Sequence, residues 1–152
     1  MLKNFSLWLT ALFWLILDQV SKLAIAQNSS LHNLAIWQGV FHLRYITNTG
    51  AAFSLFSGGS GWLKWISLIV SLGLIFMGLS SNKLTNWEKY GFGCILGGAL
   101  GNGIDRFTKG AVIDFIDVRL INFPIFNFAD IAINLGLACL LINLILTSRK
   151  SP

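Results

Sequence analysis

The sequence predicts a membrane all-α fold: four transmembrane helices, with a small extracytoplasmic β-cradle between the first and the second. Three observations carry this. The 152-residue chain is 55% hydrophobic and only 11% charged, with a mean hydropathy of +0.69, which is more apolar surface than a soluble core of this size can hide. Four apolar stretches are long enough for a bilayer core of roughly 30 Å, which takes about 20 residues per helix. Between the first two lies a β-branched and aromatic segment, "VFHLRYITNTGAAFSLF", whose partial alternation is the mark of short strands.

The first helix is placed at residues 5–26. Lys3, the apolar run and Ala24-Ile25-Ala26 imitate a secretory signal with its small-residue cleavage site. Asp18, Gln19 and Lys22 interrupt that region, however, and its removal would leave an odd number of spans. The β-cradle is expected over 38–57, turning at Asn48-Thr49-Gly50, with Trp37, Phe41, Tyr45, Phe53 and Phe56 as amphipathic rings at the interface. Interfacial anchoring by those rings alone is the competing reading. The second helix covers 62–79. The third, 87–107, opens at Thr85-Asn86-Trp87-Glu88, the spacing of a capping box, which gives Glu88 a structural task. Along it Gly93, Gly97 and Gly101 recur every four residues with Gly98 alongside, a stripe suited to close helix approach in lipid. The fourth helix covers 126–146, and the whole of 1–152 reads as one integral-membrane domain.

A net charge of +5 does not point to nucleic acid, because the basic residues form no block or stripe. Their placement reports topology instead. Lys3, Lys83, Lys89, Arg149 and Lys150 concentrate in the short N-terminus, the 80–89 loop and the C-terminal tail. Lys22, Arg44, Lys64, Arg106, Lys109 and Arg119 are spread over two longer loops and helix ends. Short loops weigh most in the positive-inside rule, so both termini are expected in the cytoplasm.

Several chemistries are excluded. Cys94 and Cys139 fall within apolar spans and read as small buried hydrophobes, not as a disulfide or metal framework. No H-E-x-x-H and no Cys/His cluster is present, so no zinc and no other cofactor is expected. Gly58-Gly59-Ser60-Gly61 has the look of an intramembrane serine nucleophile, but His32 and His42 both lie in the first outer loop rather than on a span. "GNGIDR" has too few glycines, in too apolar a setting, for a nucleotide loop.

The acids are the informative residues. With this topology five of the six, Asp18, Asp105, Asp114, Asp117 and Asp130, gather at one membrane face. A carboxylate at a helix centre costs about 2.5–3.5 kcal/mol on insertion scales, less toward the interface, so each needs a reason. Asp18 has Lys22 at i,i+4, and Asp105 has Arg106 beside it. Asp114, in "GAVIDFID", and Asp130, in "FNFADIAINLG", have no basic neighbour; Asp130 has Asn127 at i−3 and Asn134 at i+4 to orient its carboxyl. If the loop after the third helix brings Asp114 to Asp130, like charges at close range hold one proton between them. That pair is an acid/base machine for activating water. The residues alone leave two other readings open. One is a small proton-coupled or ion-conducting protein with Asp18, Asp105 and Asp130 as a relay, a function that would call for acids spread through membrane depth; the other is a structural scaffold.

"LDQVSK" at 17–22, "TNTGAAFSLF" at 47–56, "GGALGNGIDR" at 97–106, "GAVIDFID" at 110–117 and "FNFADIAI" at 126–133, in this order and spacing, resemble the lipoprotein signal peptidases, signal peptidase II. The resemblance runs from the first helix through the fourth. It implies an aspartic endopeptidase of the bacterial plasma membrane, with its site near the outer face. Its substrates would be prolipoproteins already carrying a diacylglyceryl group, cleaved just before the lipidated cysteine. By motif, Asp114 and Asp130 match the family's catalytic pair, and Asp18, Asn48, Asn102, Arg106 and Asn127 match its polar support. The expected partners are the prolipoprotein and membrane lipids, and the expected working unit is a monomer.

Overall fold

The computed structural model describes residues 3–50, 60–121 and 123–149. Four long helices are present: α1 (Phe5–Gln27), α2 (Leu63–Ser80), α3 (Asn86–Thr108) and α4 (Phe128–Ser148). Local chemistry fixes their ends. Thr85 Oγ1 accepts from Glu88 N–H at 3.1 Å while Glu88 Oε2 accepts from Thr85 N–H at 2.7 Å, so the expected capping box opens α3. Asn4, with φ 55°, donates its side-chain amide to the carbonyls of Gly78 and Ser81, each at 2.9 Å, tying the start of α1 to the end of α2.

Three of the helices, α1, α2 and α4, are long and apolar enough to cross a membrane, and less than a third of each apolar window is buried within the protein. Large side chains such as Phe13, Ile69, Phe76 and Leu144 stand exposed on them. That inverted pattern places apolar surface where lipid is the solvent. The expectation of four spans is therefore matched by three helices of this kind. α3 is as long as α1, but six glycines together with Glu88, Lys89, Asp105 and Arg106 lower its hydropathy.

α3 instead packs against each of the other three helices. The glycine stripe is the means. A Cβ at Gly93 would lie 2.6 Å from the Leu7 carbonyl oxygen, and one at Gly97 would lie 2.6 Å from that of Ala11, so α1 sits directly on the α3 backbone. A Cβ at Gly101 would collide with the Asp18 carboxylate, and one at Gly98 with the Ala129 carbonyl of α4. One apolar cluster, Leu7, Ala11, Leu74 and Leu96, fills the bundle away from the sheet. A second, Ile25 of α1 with Phe115 and Ile116 of the strand segment Val112–Val118, joins that segment to the bundle.

The sheet corrects the sequence reading. It has three antiparallel strands in the order β1 (Asn33–Trp37), β2 (Phe41–Asn48), β3 (Val112–Val118). The cradle is thus not confined to the segment between the first two helices, and Asp114 lies on a strand rather than a loop. "VIDFIDV" is buried along six of its seven residues, so both of its faces carry apolar residues and the two acids hide its period. The β1–β2 connection turns at 38–40, where Gly39 takes φ +74°. Residues 51–57 of the expected cradle, with Phe53 and Phe56, lie outside the described residues, as do Gly58 and Gly59.

Candidate active site

Where α1 and α3 end and α4 begins, the sheet closes over the bundle, and the polar residues predicted from sequence gather there. Asp114 is placed by β3. Asn48 faces Val112 across the β2–β3 ladder, so Asp114 is its diagonal neighbour on the same face of the sheet. Asn48 Nδ2 donates to Asp114 Oδ2 at 2.9 Å. The other end of that amide is occupied, since Asn48 Oδ1 accepts from Gly50 N–H at 2.9 Å.

Asp130 is placed by the start of α4. Asn127 is the N-cap: its Oδ1 accepts from Asp130 N–H at 3.0 Å, and Asp130 Oδ2 accepts from Asn127 N–H at 3.1 Å. This is a second capping box, and the Asn-x-x-Asp spacing that announces it was legible beside the one at Thr85. With its oxygen committed to the helix, Asn127 turns its NH2 toward β3 and donates to Asp114 Oδ1 at 2.6 Å. Beyond the cap, the second Asp130 oxygen, Oδ1, accepts from Asn102 Nδ2 at 2.9 Å. Asn134, expected to orient the Asp130 carboxyl, instead donates to the Asp130 backbone carbonyl at 2.8 Å.

Asp18 and Asp105 are built differently. Both are fully buried against the Lys22 ammonium, at 2.8 and 3.0 Å, and Lys109 adds a second cation to Asp105 at 2.9 Å. Asp18 Oδ1 also accepts from Ala129 N–H at 2.9 Å, pinning the first turn of α4 to α1. The expected pairing of Asp105 with Arg106 does not form, because adjacent residues on a helix point in different directions. Arg106 reaches Ser67 Oγ at 3.4 Å and faces the cavity. Sequence reasoning did not find the contact of Lys22 with Asn102, since the two are 80 positions apart.

Asp114 and Asp130 make no ion pair among the described residues; their partners are amides. Both line a cavity of about 530 Å³, with Asn48, Asn102 and Arg106 on its polar side and Phe123, Ile131 and Leu135 among its apolar walls. Burial pushes the Asp114 carboxyl up to about 6; the hydrogen bond from Asn48 opposes this, and the nearby Asp130 adds to it. Among the described residues no group of three or more His, Cys, Asp or Glu side chains is placed to hold a metal ion. Chemically, the site offers two carboxyls in one partly dry cavity, each held by neutral donors, with a guanidinium alongside.

Residues 10–146 match the model of the family described as signal peptidase (SPase) II. The lipoprotein signal peptidase of Gloeobacter violaceus is 55% identical over 99% of this chain and 87% of its own length. That of Synechocystis sp. is also 55% identical, over 93% of this chain and 92% of its own. Among solved structures, a bacterial membrane enzyme determined by the in meso method at 2.3 Å superposes with a TM-score of 0.84 at 31% identity, covering 94% of this chain and 90% of that one.

Proposed function

The chain belongs to the signal peptidase II family, an aspartic protease that removes signal peptides from prolipoproteins, and from that premise we propose that Asp114 and Asp130 are its catalytic pair. The observation that carries this is the convergence of two carboxyls, from β3 and α4, on one cavity and on one asparagine, Asn127.

Asp114, raised to about 6 by burial, is the member that keeps the shared proton, which leaves Asp130 as the base. Asp130 takes a proton from water as the water oxygen bonds to the scissile carbonyl carbon. Asp114 gives its proton to the carbonyl oxygen, forming a neutral gem-diol. Collapse of that intermediate breaks the C–N bond: Asp130 passes its proton to the leaving nitrogen and Asp114 recovers one from the diol. The products are a signal peptide ending in a carboxyl group and a protein with a free amine.

Asn48, Asn102 and Asn127 hold the two carboxyls, Asp18 anchors the α4 terminus, and Arg106 is placed to receive a substrate carbonyl. The apolar wall of Phe123, Ile131 and Leu135 suits acyl chains beside the reacting bond, which fits a diacylglyceryl-modified prolipoprotein cut just before its lipidated cysteine. Substrate chains and membrane lipid share that environment.

The working unit is one chain, because both carboxyls come from it. It is a single integral-membrane peptidase domain over 1–152. α3 serves as its fourth span, its 23 residues reaching about 35 Å at 1.5 Å each while the neighbouring helices shield its glycines and charges. The charge distribution puts both termini in the cytoplasm and the sheet at the outer face of the plasma membrane. A relay through membrane depth finds no support, since Asp18, Asp105 and Asp130 all lie at the sheet end.

The test replaces Asp114 or Asp130 by Asn in the purified protein and supplies a diacylglyceryl-modified prolipoprotein. Substrate should still bind and cleavage should fall by at least about 100-fold, with wild-type activity unaffected by a strong chelator. Undiminished product from either variant would remove the pair.

A further inference from the structure

The reaction above gives the buried cation Lys22 no task. Its side chain is 1% exposed, with Nζ 2.8 Å from Asp18 Oδ2, 3.0 Å from Asp105 Oδ2 and 2.9 Å from Asn102 Oδ1. An ammonium has three donors and no acceptor, so every group that touches it must present oxygen. Asn102 is thereby denied a half-turn about its last bond, which would set NH2 against NH3+. Its NH2 must face the other way, and there it meets Asp130 Oδ1 at 2.9 Å.

The other two asparagines of the site are oriented by the same logic with different devices. The oxygen of Asn48 is held by the Gly50 N–H, and that of Asn127 by the Asp130 N–H. A turn fixes one and a helix cap the other. Asn102 lies within α3, where backbone N–H groups are consumed by the helix, so its oxygen needs a donor from elsewhere. Lys22 supplies it from α1 at 2.9 Å as a charged donor, and Asn127 Nδ2 shares the same oxygen at 3.1 Å as a weaker neutral one.

We infer that Lys22 is a positioning residue of the peptidase: its ammonium locks the Asn102 amide so that the NH2 stays on the Asp130 carboxyl through turnover. The inference rests on the proposed role of Asp130. The ordinary alternative is an ion pair that only fastens α1 to α3, and the two differ in what they predict for chemistry. The charges facing this region are Asp18 on α1, Asp105 and Arg106 on α3, Lys109 at its end, Asp114 on β3 and Asp130 on α4. Lys22 and Lys109 balance Asp18 and Asp105, and the Lys22 charge also holds the Asp114 carboxyl lower than it would otherwise be.

The experiment measures kcat and KM across pH for the full-length protein acting on a diacylglyceryl-modified prolipoprotein, normalised to folded enzyme. Lys22→Met is compared with the charge-balanced Lys22→Met/Asp18→Asn, which leaves Asp105 on Lys109, keeps an oxygen for Ala129 N–H, and remains available if the single variant does not fold. The expected result is a fall in kcat of about 10- to 100-fold with little change in KM. The basic limb of the single variant should also move to higher pH, because the Lys22 charge holds the Asp114 carboxyl down, so the kcat-against-KM split and the Asn102 background carry the distinction from a purely structural role. In an Asn102→Ala background the same change at position 22 should alter kcat by less than about 2-fold, since the partner through which it acts is gone.

An unchanged kcat per folded molecule, or additive losses with Asn102→Ala, would overturn the inference. If Asp130→Asn abolishes cleavage while the Lys22 variants keep wild-type kcat, only the role of Lys22 fails. If Asp130→Asn cleaves normally, the catalytic pair fails first.

Discussion

Asn127 donates its side-chain amide to Asp114, with Nδ2 2.6 Å from Oδ1. The same residue caps α4 through Asp130, so one asparagine sets the strand carboxyl and the helix carboxyl against each other. Two substitutions separate its tasks. Asn127→Asp keeps a good N-cap but loses the NH2 and adds a negative charge between two acids, so thermal stability should hold better than cleavage. Asn127→Ala should lose both, with the cap alone costing about 1 kcal/mol. Unfolding temperature and single-turnover cleavage, measured together, check this; equal cleavage by the Asp variant and the wild type would contradict it.

The raised Asp114 carboxyl, at about 6, sets a pH dependence. With Asp114 as the proposed acid, kcat/KM should fall as pH rises through about 6 and that residue loses its proton. Substrate covers the cavity and deepens the burial, so the fall in kcat should lie at higher pH than the fall in kcat/KM. Stability carries the same sign. A folded value above the 3.8 of the unfolded chain contributes stability that is fully present below 3.8 and lost as pH rises through about 6. Asp114→Asn should remove that dependence, seen as a flatter unfolding temperature across this window.

The glycine stripe predicts an ordered series. Gly97→Ala drives a methyl into the α1 backbone and Gly101→Ala drives one into the Asp18 carboxylate; each should destabilise by about 1–3 kcal/mol. Gly101→Ala should additionally lower cleavage, because Asp18 holds the α4 terminus that carries Asp130. Gly73→Ala meets nothing within 4 Å and should stabilise α2 by about 0.5–1 kcal/mol. Thermal unfolding of the three variants in one detergent gives the order.

Topology is tested by single cysteines and an impermeant thiol reagent on intact cells. Gln38→Cys in the β1–β2 turn and Thr108→Cys at the end of α3 should be labelled from outside. Lys83→Cys, just before α3, should be labelled only after the cells are opened. Labelling of residues 83 and 108 from the same side would remove α3 as a span.

Much of this protein was legible in its sequence because the governing physics is local. The span of a helix in lipid depends on a run of hydropathy, which placed the second helix at 62–79 against an observed Leu63–Ser80. The capping box at Thr85 and the glycine stripe follow from spacing along one helix. The grouping of five of the six acids follows from where they fall along the apolar stretches. The second capping box, at Asn127, is equally local, an asparagine and an aspartate three positions apart.

The sequence by itself determined an apolar helical bundle with five of its six acids at one end, since hydropathy and helical spacing act over neighbouring residues. Only the tertiary structure decided that "VIDFIDV" is a strand, because a segment buried on both faces loses its alternation. It alone decided that Asp105 pairs with Lys22 rather than Arg106, and which way each asparagine amide turns. Those choices belong to pairs such as Lys22 and Asn102, 80 positions apart. An amide has a donor end and an acceptor end of nearly the same shape, so only the charge of whatever the fold brings beside it selects one.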